Sequence, residues 1–115
     1  MSPDTSECLF CRIVAGEIPA DVVHETATML AMRDIEPQAP VHILIIPRVH
    51  YQDAASLLAD RGLASDWLAA AVEVARQEGL ADYRLVTNTG LQAGQSVFHA
   101  HLHVLGGRPM QWPPG

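Results

Sequence analysis

Three histidines alternate with apolar residues near the end of this 115-residue chain, at His99, His101 and His103. Because a β-strand repeats every two residues, the alternation predicts a strand over residues 97–105 with all three imidazoles on one face. Consecutive histidines then lie about 7 Å apart and the outer two about 13 Å apart. Zn–N bonds are about 2.1 Å long, so one metal ion cannot readily hold both outer imidazoles. We therefore expect the three histidines to have different roles.

Two simpler interpretations of these histidines are a half-exposed strand without function and a fortuitous metal-binding tract. A Gly-rich loop directly precedes the histidines, and a β-branched segment upstream carries a further one, His42. Imidazole is a nucleophile, a general acid or base and a metal ligand near neutral pH. The clustering of these features favours chemistry over both alternatives.

The cysteines form a second candidate site. Cys8 and Cys11 are the two cysteines of the chain, which is too few for a disulfide scaffold. A Cys-x-x-Cys pair in an intracellular context indicates metal or redox chemistry. A pair of small buried thiols and a reactive dithiol remain open as alternatives.

Composition and charge narrow the class of protein. Thirteen acidic and seven basic residues give a formal charge of −6, which argues against a long nucleic-acid partner, since backbone recognition uses clustered Lys and Arg. No apolar run approaches the ~20 residues of a membrane-spanning helix. Residues 1–7 are polar, are expected to be flexible and lack the features of a signal peptide. We expect one cytoplasmic domain over residues 1–115 with no membrane partner.

The apolar periodicity and the breaker residues predict the helices and strands that position these residues. The patterns predict helices over 8–15, 53–59 and 65–77 and strands over 22–25, 29–34, 41–46, 83–88 and 97–105. Ser65 is the expected N-cap of the main helix, in which Leu68, Val72 and Ala75 recur at helical spacing. Short links between strands and one long crossover predict an α+β fold, a mostly antiparallel sheet with the main helix packed on it.

The sequence resembles the histidine triad (HIT) family. The His-x-His-x-His motif, followed by Val104-Leu105 and preceded by residues 94–97, is similar to the active-site signature of that family. Nearly the whole chain is similar to the Hint (histidine triad nucleotide-binding) branch, least clearly over residues 51–82. The matching segments are 16–20, 34–35, 37–40, 42, 46–47, 88 and 106–115.

The resemblance implies that His101 attacks the α-phosphorus of a nucleotide and forms a nucleotidyl-histidine, which water hydrolyses. His103 would contact the phosphate or protonate the leaving amine, and His42 would support the triad. The implied activity is that of a purine nucleoside phosphoramidase, which cleaves the P–N bond of AMP amidates. The alternatives are a dinucleoside polyphosphate hydrolase, a nucleotide-binding module with little turnover and a metal-dependent hydrolase.

The resemblance also implies a nucleotide site. Asp34 would accept hydrogen bonds from the ribose hydroxyls, and Asn88 would donate to the phosphate. Backbone N–H groups of Gly94, Gln95 and Ser96, with the Ser96 hydroxyl, would bind the phosphate oxygens. An aromatic residue is expected where Met32 stands, so we expect weaker stacking of the base. The apolar base slot maps onto Leu9, Phe10, Ile13, Met32, Ile35 and Leu44.

A metal site and a dimer are implied in the same way. Cys8, Cys11, His50 and His99 resemble the zinc site of some histidine triad proteins, where we assign zinc a structural role that catalysis does not require. The tail over residues 106–115, which contains Trp112, would reach the active site of the partner subunit in a homodimer and help to select the leaving group.

Overall fold

The computed structural model describes residues 7–115, so the flexible segment expected over 1–7 lies outside the described residues except for Glu7. The described chain forms three α-helices, five strands and a short 3-10 helix at Leu91–Ala93. The α-helices and strands are α1 (Leu9–Val14), β1 (Val22–Glu25), β2 (Met29–Arg33), β3 (Val41–Pro47), α2 (Ala54–Leu57), α3 (Arg61–Gln77), β4 (Tyr83–Val86) and β5 (Leu102–Gly106). The strands form one sheet in the order β1-β2-β3-β5-β4, and every neighbouring pair is antiparallel. The predicted α+β fold is confirmed.

The central strand β3 is buried on both faces, as its continuous β-branched run predicts. Ile43 and Ile45 pack in the core beneath α3. Leu44 and Ile46 pack on the opposite face, in a smaller cluster with Phe10 of α1. Because side chains alternate along a strand, His42 shares the α1 side with Leu44. The functional residues of β3 therefore lie on the face away from the main core.

Helix α3 begins at Arg61 and not after Ser65, so the predicted N-cap is wrong. The Asp60 carboxylate caps the helix by accepting the backbone N–H of Leu63 at 3.0 Å. Gly62 lies in the first turn, and glycine is a poor helix former. Because of Gly62, the sequence predicted a start of the helix that is too late.

The face that α3 buries also differs from the predicted spacing. Leu68 and Val72 are each 51% exposed, whereas Trp67 and Ala71 are buried. The indole Nε1 of Trp67 donates to the Ile45 carbonyl at 2.8 Å, which fixes the helix on the sheet. The helix therefore packs on the sheet through Trp67, Leu63 and Val74 together with alanines, whereas Leu68 and Val72 lie outside.

Two strands are shorter than predicted, because β4 ends at Val86 and β5 begins at Leu102 instead of Val97. The pairing of β3 with β5 ends where Ile45 meets Leu102. Before that point the Ala100 N–H donates to a carbonyl of the loop after β3 instead of to a strand. Only His103 of the three alternating histidines therefore lies on a strand.

Helix α1 covers part of the second face of the sheet. Of the α1 residues expected in the apolar base slot, Phe10 is buried, whereas Leu9 is 43% exposed and does not face the sheet with it. The Cys8 Sγ accepts the Cys11 N–H at 3.4 Å and caps the helix. No helix within residues 7–115 is long and apolar enough to cross a membrane.

Candidate active site

The ring of His101 is oriented by a backbone carbonyl. Its Nδ1 lies 2.8 Å from the carbonyl oxygen of His99, and a carbonyl only accepts, so Nδ1 carries the proton and donates. The lone pair of the neutral ring is then on Nε2. Burial lowers the pKa of His101, although the bond to the carbonyl opposes this shift. His101 is therefore held as a neutral imidazole in one tautomer, the form that a nucleophile needs.

Two further contacts hold His101 in place. The Phe10 ring meets the imidazole edge to face, with centroids 5.1 Å apart. The Thr87 hydroxyl, at the end of β4, donates to the His101 carbonyl at 2.9 Å. Sequence reasoning missed Thr87, because a single threonine near a strand end carries no signal of this contact.

A chain of hydrogen bonds fixes the tautomers of the other two candidate catalytic histidines. The Gln38 backbone N–H donates to Nδ1 of His42 at 3.0 Å, so the proton of neutral His42 is on Nε2. That Nε2 lies 2.8 Å from Nδ1 of His103 and donates to it. Neutral His103 therefore carries its proton on Nε2, which has no hydrogen-bond partner among residues 7–115.

Burial keeps this pair of imidazoles neutral. It lowers the pKa of His42 and brings the pKa of His103 to about 4, where the neighbouring histidines also contribute. Asp34 opposes both shifts, with its Oδ2 3.5 Å from His42 Nε2. An anion bound beside His103 would also favour the protonated pair, since an opposite charge raises the pKa of an imidazole.

A cleft of about 460 Å³ opens beside the histidine pair, between β4, β5 and the C-terminal tail. His42, His103 and Asn88 line one side of it. The tail lies against its own chain, where Arg84 Nη2 donates to the Gln111 carbonyl at 2.8 Å. The expected reach of the tail to a partner subunit stays a prediction.

The residues expected to form the base slot divide into two groups. Phe10, Met32 and Leu44 are buried together on the α1 face of the sheet, and Ile13 packs at its edge. Ile35, in contrast, is 96% exposed. The structure thus brings Phe10, Met32 and Leu44 together as one apolar wall. Ile35 is not part of that wall. Trp112, expected at the leaving-group side, is 83% exposed.

The predicted phosphate loop uses much of its own hydrogen-bonding capacity internally. The N–H groups of Gly94 and Gln95 donate to the Leu91 and Gly90 carbonyls. The buried Gln95 side chain accepts the Gly90 N–H at 2.9 Å and donates to the carbonyls of Gln52 and Val97. Gln95 therefore braces the loop, whereas Gly94 and Ser96 are exposed.

Asp34 follows β2 and lies beside the histidine pair. Its Oδ1 accepts the Glu36 N–H at 2.8 Å, a local turn that orients the carboxylate. Its Oδ2 points to His42. Contact with a ribose stays a prediction.

The four predicted metal ligands converge on one point. His50 Nδ1 lies 3.2 Å from His99 Nδ1 and 3.3 Å from Cys11 Sγ, and His99 Nδ1 lies 3.4 Å from Cys8 Sγ. A tetrahedral Zn²⁺ with Zn–N and Zn–S bonds of about 2.1 and 2.3 Å requires N–N and N–S separations of about 3.4 and 3.6 Å. The four ligand atoms, all within 4.8 Å of one another, fit that geometry.

The protonation chemistry of this cluster also fits a cation. Burial raises the pKa of the Cys11 thiol to about 12, and the neighbouring Cys8 contributes to the same shift. A bound cation would lower this pKa again, because it stabilises the thiolates. Burial lowers the pKa of His99 to about 4. His99 Nε2 donates to the Pro47 carbonyl at 2.8 Å, which leaves the Nδ1 lone pair for a metal.

Comparison with known proteins identifies the family. The profile described as the HIT domain matches residues 15–110. The chain belongs to the histidine triad family. This HIT protein is 49% identical to a 14 kDa zinc-binding protein of Zea mays, over 97% of the chain and 91% of the relative. It is 46% identical to adenylylsulfatase HINT1 of Arabidopsis thaliana, over 99% of the chain and 80% of the relative.

A solved structure confirms that the HIT protein has the fold of its family. The crystal structure of a HIT family hydrolase from Legionella pneumophila superposes with a TM-score of 0.91 at 51% sequence identity. The superposition covers 95% of this chain and all of that chain. The resemblance found in the sequence is therefore confirmed, and residues 15–110, which match the HIT domain, include the whole triad motif.

Proposed function

We propose that this HIT protein is a nucleotide-binding hydrolase that cleaves the P–N bond of AMP amidates through a covalent nucleotidyl-histidine. The observation that carries the proposal is the bond from His101 Nδ1 to the His99 carbonyl, because it presents a neutral ring with its Nε2 lone pair free. The names of the relatives, a HIT family hydrolase and an adenylylsulfatase, support hydrolysis at a phosphorus centre.

The proposed reaction runs in two balanced displacements. His101 Nε2 attacks phosphorus as the P–N bond breaks, and the leaving nitrogen keeps the electron pair and takes a proton from His103. That proton enters the His42–His103 pair when the anionic substrate binds. Water then attacks phosphorus, the bond to His101 breaks, and His103 recovers the proton from water. AMP and the free amine are the products.

We assign the binding roles from the family resemblance. Three of the assigned residues support it by their position, since Asp34 lies near His42, Asn88 lines the cleft and Phe10 contacts His101. The Asp34 carboxylate accepts hydrogen bonds from the ribose, and Ser96 and Asn88 donate to the phosphate. Phe10 and Met32, with the rest of the apolar wall, contact the purine. None of these contacts requires Lys or Arg, which agrees with the acidic charge of the chain.

Adenylyl sulfate is a second candidate substrate, since the Arabidopsis relative is named an adenylylsulfatase. Sulfate is a good leaving group and gains little from protonation. The two substrates therefore differ in their need for His103, a difference that kinetics can measure.

Zinc and a dimer complete the proposal. We propose that Cys8, Cys11, His50 and His99 hold structural zinc, which the name of the maize relative and the ligand geometry support.

We also propose a homodimer in which the tail residue Trp112 reaches the partner's active site. The exposed edge strand β4 and the outer face of α3, with Leu68 and Val72, offer surfaces for it.

The test compares wild-type protein with His101→Ala on adenosine 5′-phosphoramidate, adenylyl sulfate and a diadenosine polyphosphate. We expect preferred turnover of the amidate, at least a ~1,000-fold loss in His101→Ala and retained AMP binding by calorimetry. His24→Ala, which removes an imidazole at the far edge strand β1, is the matched control. Undiminished turnover in His101→Ala would reject the mechanism, and a large preference for another substrate would reject the P–N assignment.

A further inference from the structure

The backbone that carries the nucleophile lies outside the sheet, and several of its hydrogen bonds go to one distant segment of the chain. Residues 95–101 precede β5 and make no strand pairing. They are attached to residues 47–52, which begin with the last residue of β3 and continue into the loop after it. Three hydrogen bonds make the attachment: Ala100 N–H to the Tyr51 carbonyl at 2.7 Å, His99 Nε2 to the Pro47 carbonyl at 2.8 Å, and Gln95 Nε2 to the Gln52 carbonyl at 2.7 Å.

The Cys/His cluster connects the same two segments. His50 belongs to residues 47–52 and His99 to residues 95–101, and their Nδ1 atoms lie 3.2 Å apart. Cys8 and Cys11 add α1 to this junction. An ion at this point would therefore tie three pieces of chain together beside the nucleophile.

His99 has two separate contacts that bear on function. Its ring belongs to the cluster, and its backbone carbonyl accepts the His101 Nδ1–H at 2.8 Å. Because Nε2 of the same ring donates to Pro47, the ring can provide only a lone pair at Nδ1. Without an ion, the neighbours of that lone pair among residues 7–115 are the two thiols and His50, which are weaker and less directional partners than a metal.

We infer that His99 is a positioning residue that couples the Cys8, Cys11, His50 and His99 metal site to the tautomer and orientation of His101. A Zn²⁺-class ion fixes the His99 ring, the ring fixes the backbone of residue 99, and that carbonyl orients the nucleophile. The inference rests on the proposed function and extends it, because it gives the metal site an effect on rate in addition to stability.

The experiment removes and restores the metal in otherwise intact protein. Wild-type protein is stripped with a chelator under reducing conditions and is then reloaded with Zn²⁺ or Co²⁺. Thiolate-to-Co²⁺ absorption bands report ligation by Cys8 and Cys11. The ¹H–¹⁵N signal of the His101 ring Nδ1–H reports the bond to the His99 carbonyl, and circular dichroism reports the fold.

We expect the metal-free protein to remain folded and to bind AMP within about twofold of the loaded protein. We expect its kcat to fall by about 10- to 100-fold, the usual effect of losing support around a functional group. The Nδ1–H signal should broaden or disappear, and reloading should restore both rate and signal. Cys11→Ser should reproduce the stripped state, whereas His24→Asn should leave metal content, rate and signal unchanged.

The inference is overturned if the stripped, folded protein keeps both its kcat and the His101 signal. It is also overturned if Co²⁺ does not bind with thiolate bands, or if stripping simply unfolds the chain. If Cys11→Ser does not fold, the stripped wild-type protein decides. If loaded protein turns over no nucleotide, the proposed function fails, and the His101 signal still tests the coupling by itself.

Discussion

His42 donates from Nε2 to Nδ1 of His103 across 2.8 Å, and the two rings act as one hydrogen-bonded unit. The direction of this bond is set by the Gln38 backbone N–H, which occupies the other nitrogen of His42. As a result the proton of neutral His103 is on Nε2, and His103 lines the cleft. The tautomer of the residue that we propose as the acid is thus set by a backbone amide in the loop before β3, far from the triad motif in the chain.

Removal of His103 should affect substrates according to their leaving groups. His103→Ala should lower kcat for an AMP alkylamidate by about 100- to 10,000-fold, the range typical of lost general acid catalysis. An AMP ester of a phenol with low pKa, or adenylyl sulfate, should lose far less, since such groups leave without a proton. Rates across a series of leaving groups provide the measurement. An equal loss for every substrate would contradict the role of His103 as the acid.

Stability should depend on pH through His103. Its pKa falls from 6.5 to about 4 on folding, mainly because burial penalises the charged form. Between these values the unfolded chain binds more protons, so the contribution of neutral His103 is present above pH 6.5 and is lost as pH falls. We expect a loss of about 1–2 kcal/mol between pH 7 and pH 5, allowing for partial exposure.

Urea unfolding of zinc-saturated wild type and His103→Asn at pH 7 and pH 5 isolates the contribution of His103 to the free energy of unfolding. The variant should lose less free energy of unfolding than wild type as pH falls. Equal pH dependence in the two proteins would show that His103 is not the residue responsible.

The Asp34 carboxylate should determine discrimination between ribose and deoxyribose. We expect wild-type protein to favour the ribonucleotide substrate over its 2′-deoxy analogue by about 10-fold or more in kcat/KM, the worth of a hydrogen bond to a charged group. Asp34→Ala should lose most of that preference. Kinetics with both sugars measure it, and a preference that survives the substitution would place the ribose elsewhere.

Two glycines with positive φ should tolerate alanine unequally. A Cβ at Gly107, where φ is +89°, would lie 2.9 Å from Pro40 Cβ, whereas a Cβ at Gly16, where φ is +80°, meets nothing within 4 Å. Gly16→Ala should cost about 1–2 kcal/mol from backbone strain alone. Gly107→Ala should cost at least about 1 kcal/mol more, because the proline ring cannot move aside. Urea unfolding compares the two, and equal costs would show that the Pro40 contact yields.

The family resemblance predicted the four metal ligands, which are far apart in the chain and converge in the structure. The sequence itself predicted the order of the strands along the chain and the buried β3, because these features depend on side-chain type and spacing. It misplaced the start of α3 and the start of β5, because Gly62 resembles a helix breaker and the alternation of residues 97–101 resembles a strand.

The sequence could not predict the groups that support the site. The Gln38 N–H and the carbonyls of His99 and Tyr51 belong to the backbone, which every residue has, so no residue type marks them. The buried role of Gln95 was hidden for a different reason. Its neighbours in sequence point to a phosphate loop, whereas its side-chain partners come from a distant segment.

The sheet separates two sets of side chains that belong to the same strands. Ile43 and Ile45 pack under α3, whereas Leu44, with Met32 of the neighbouring strand, packs on the opposite face. Substitutions at Met32 and Leu44 change the face on which we propose that the base binds, and they leave the contacts of Ile43 and Ile45 with α3 in place. A mutant library directed at the proposed base preference can therefore exchange these two buried residues for apolar residues of similar volume, while a separate cluster holds α3 on the sheet.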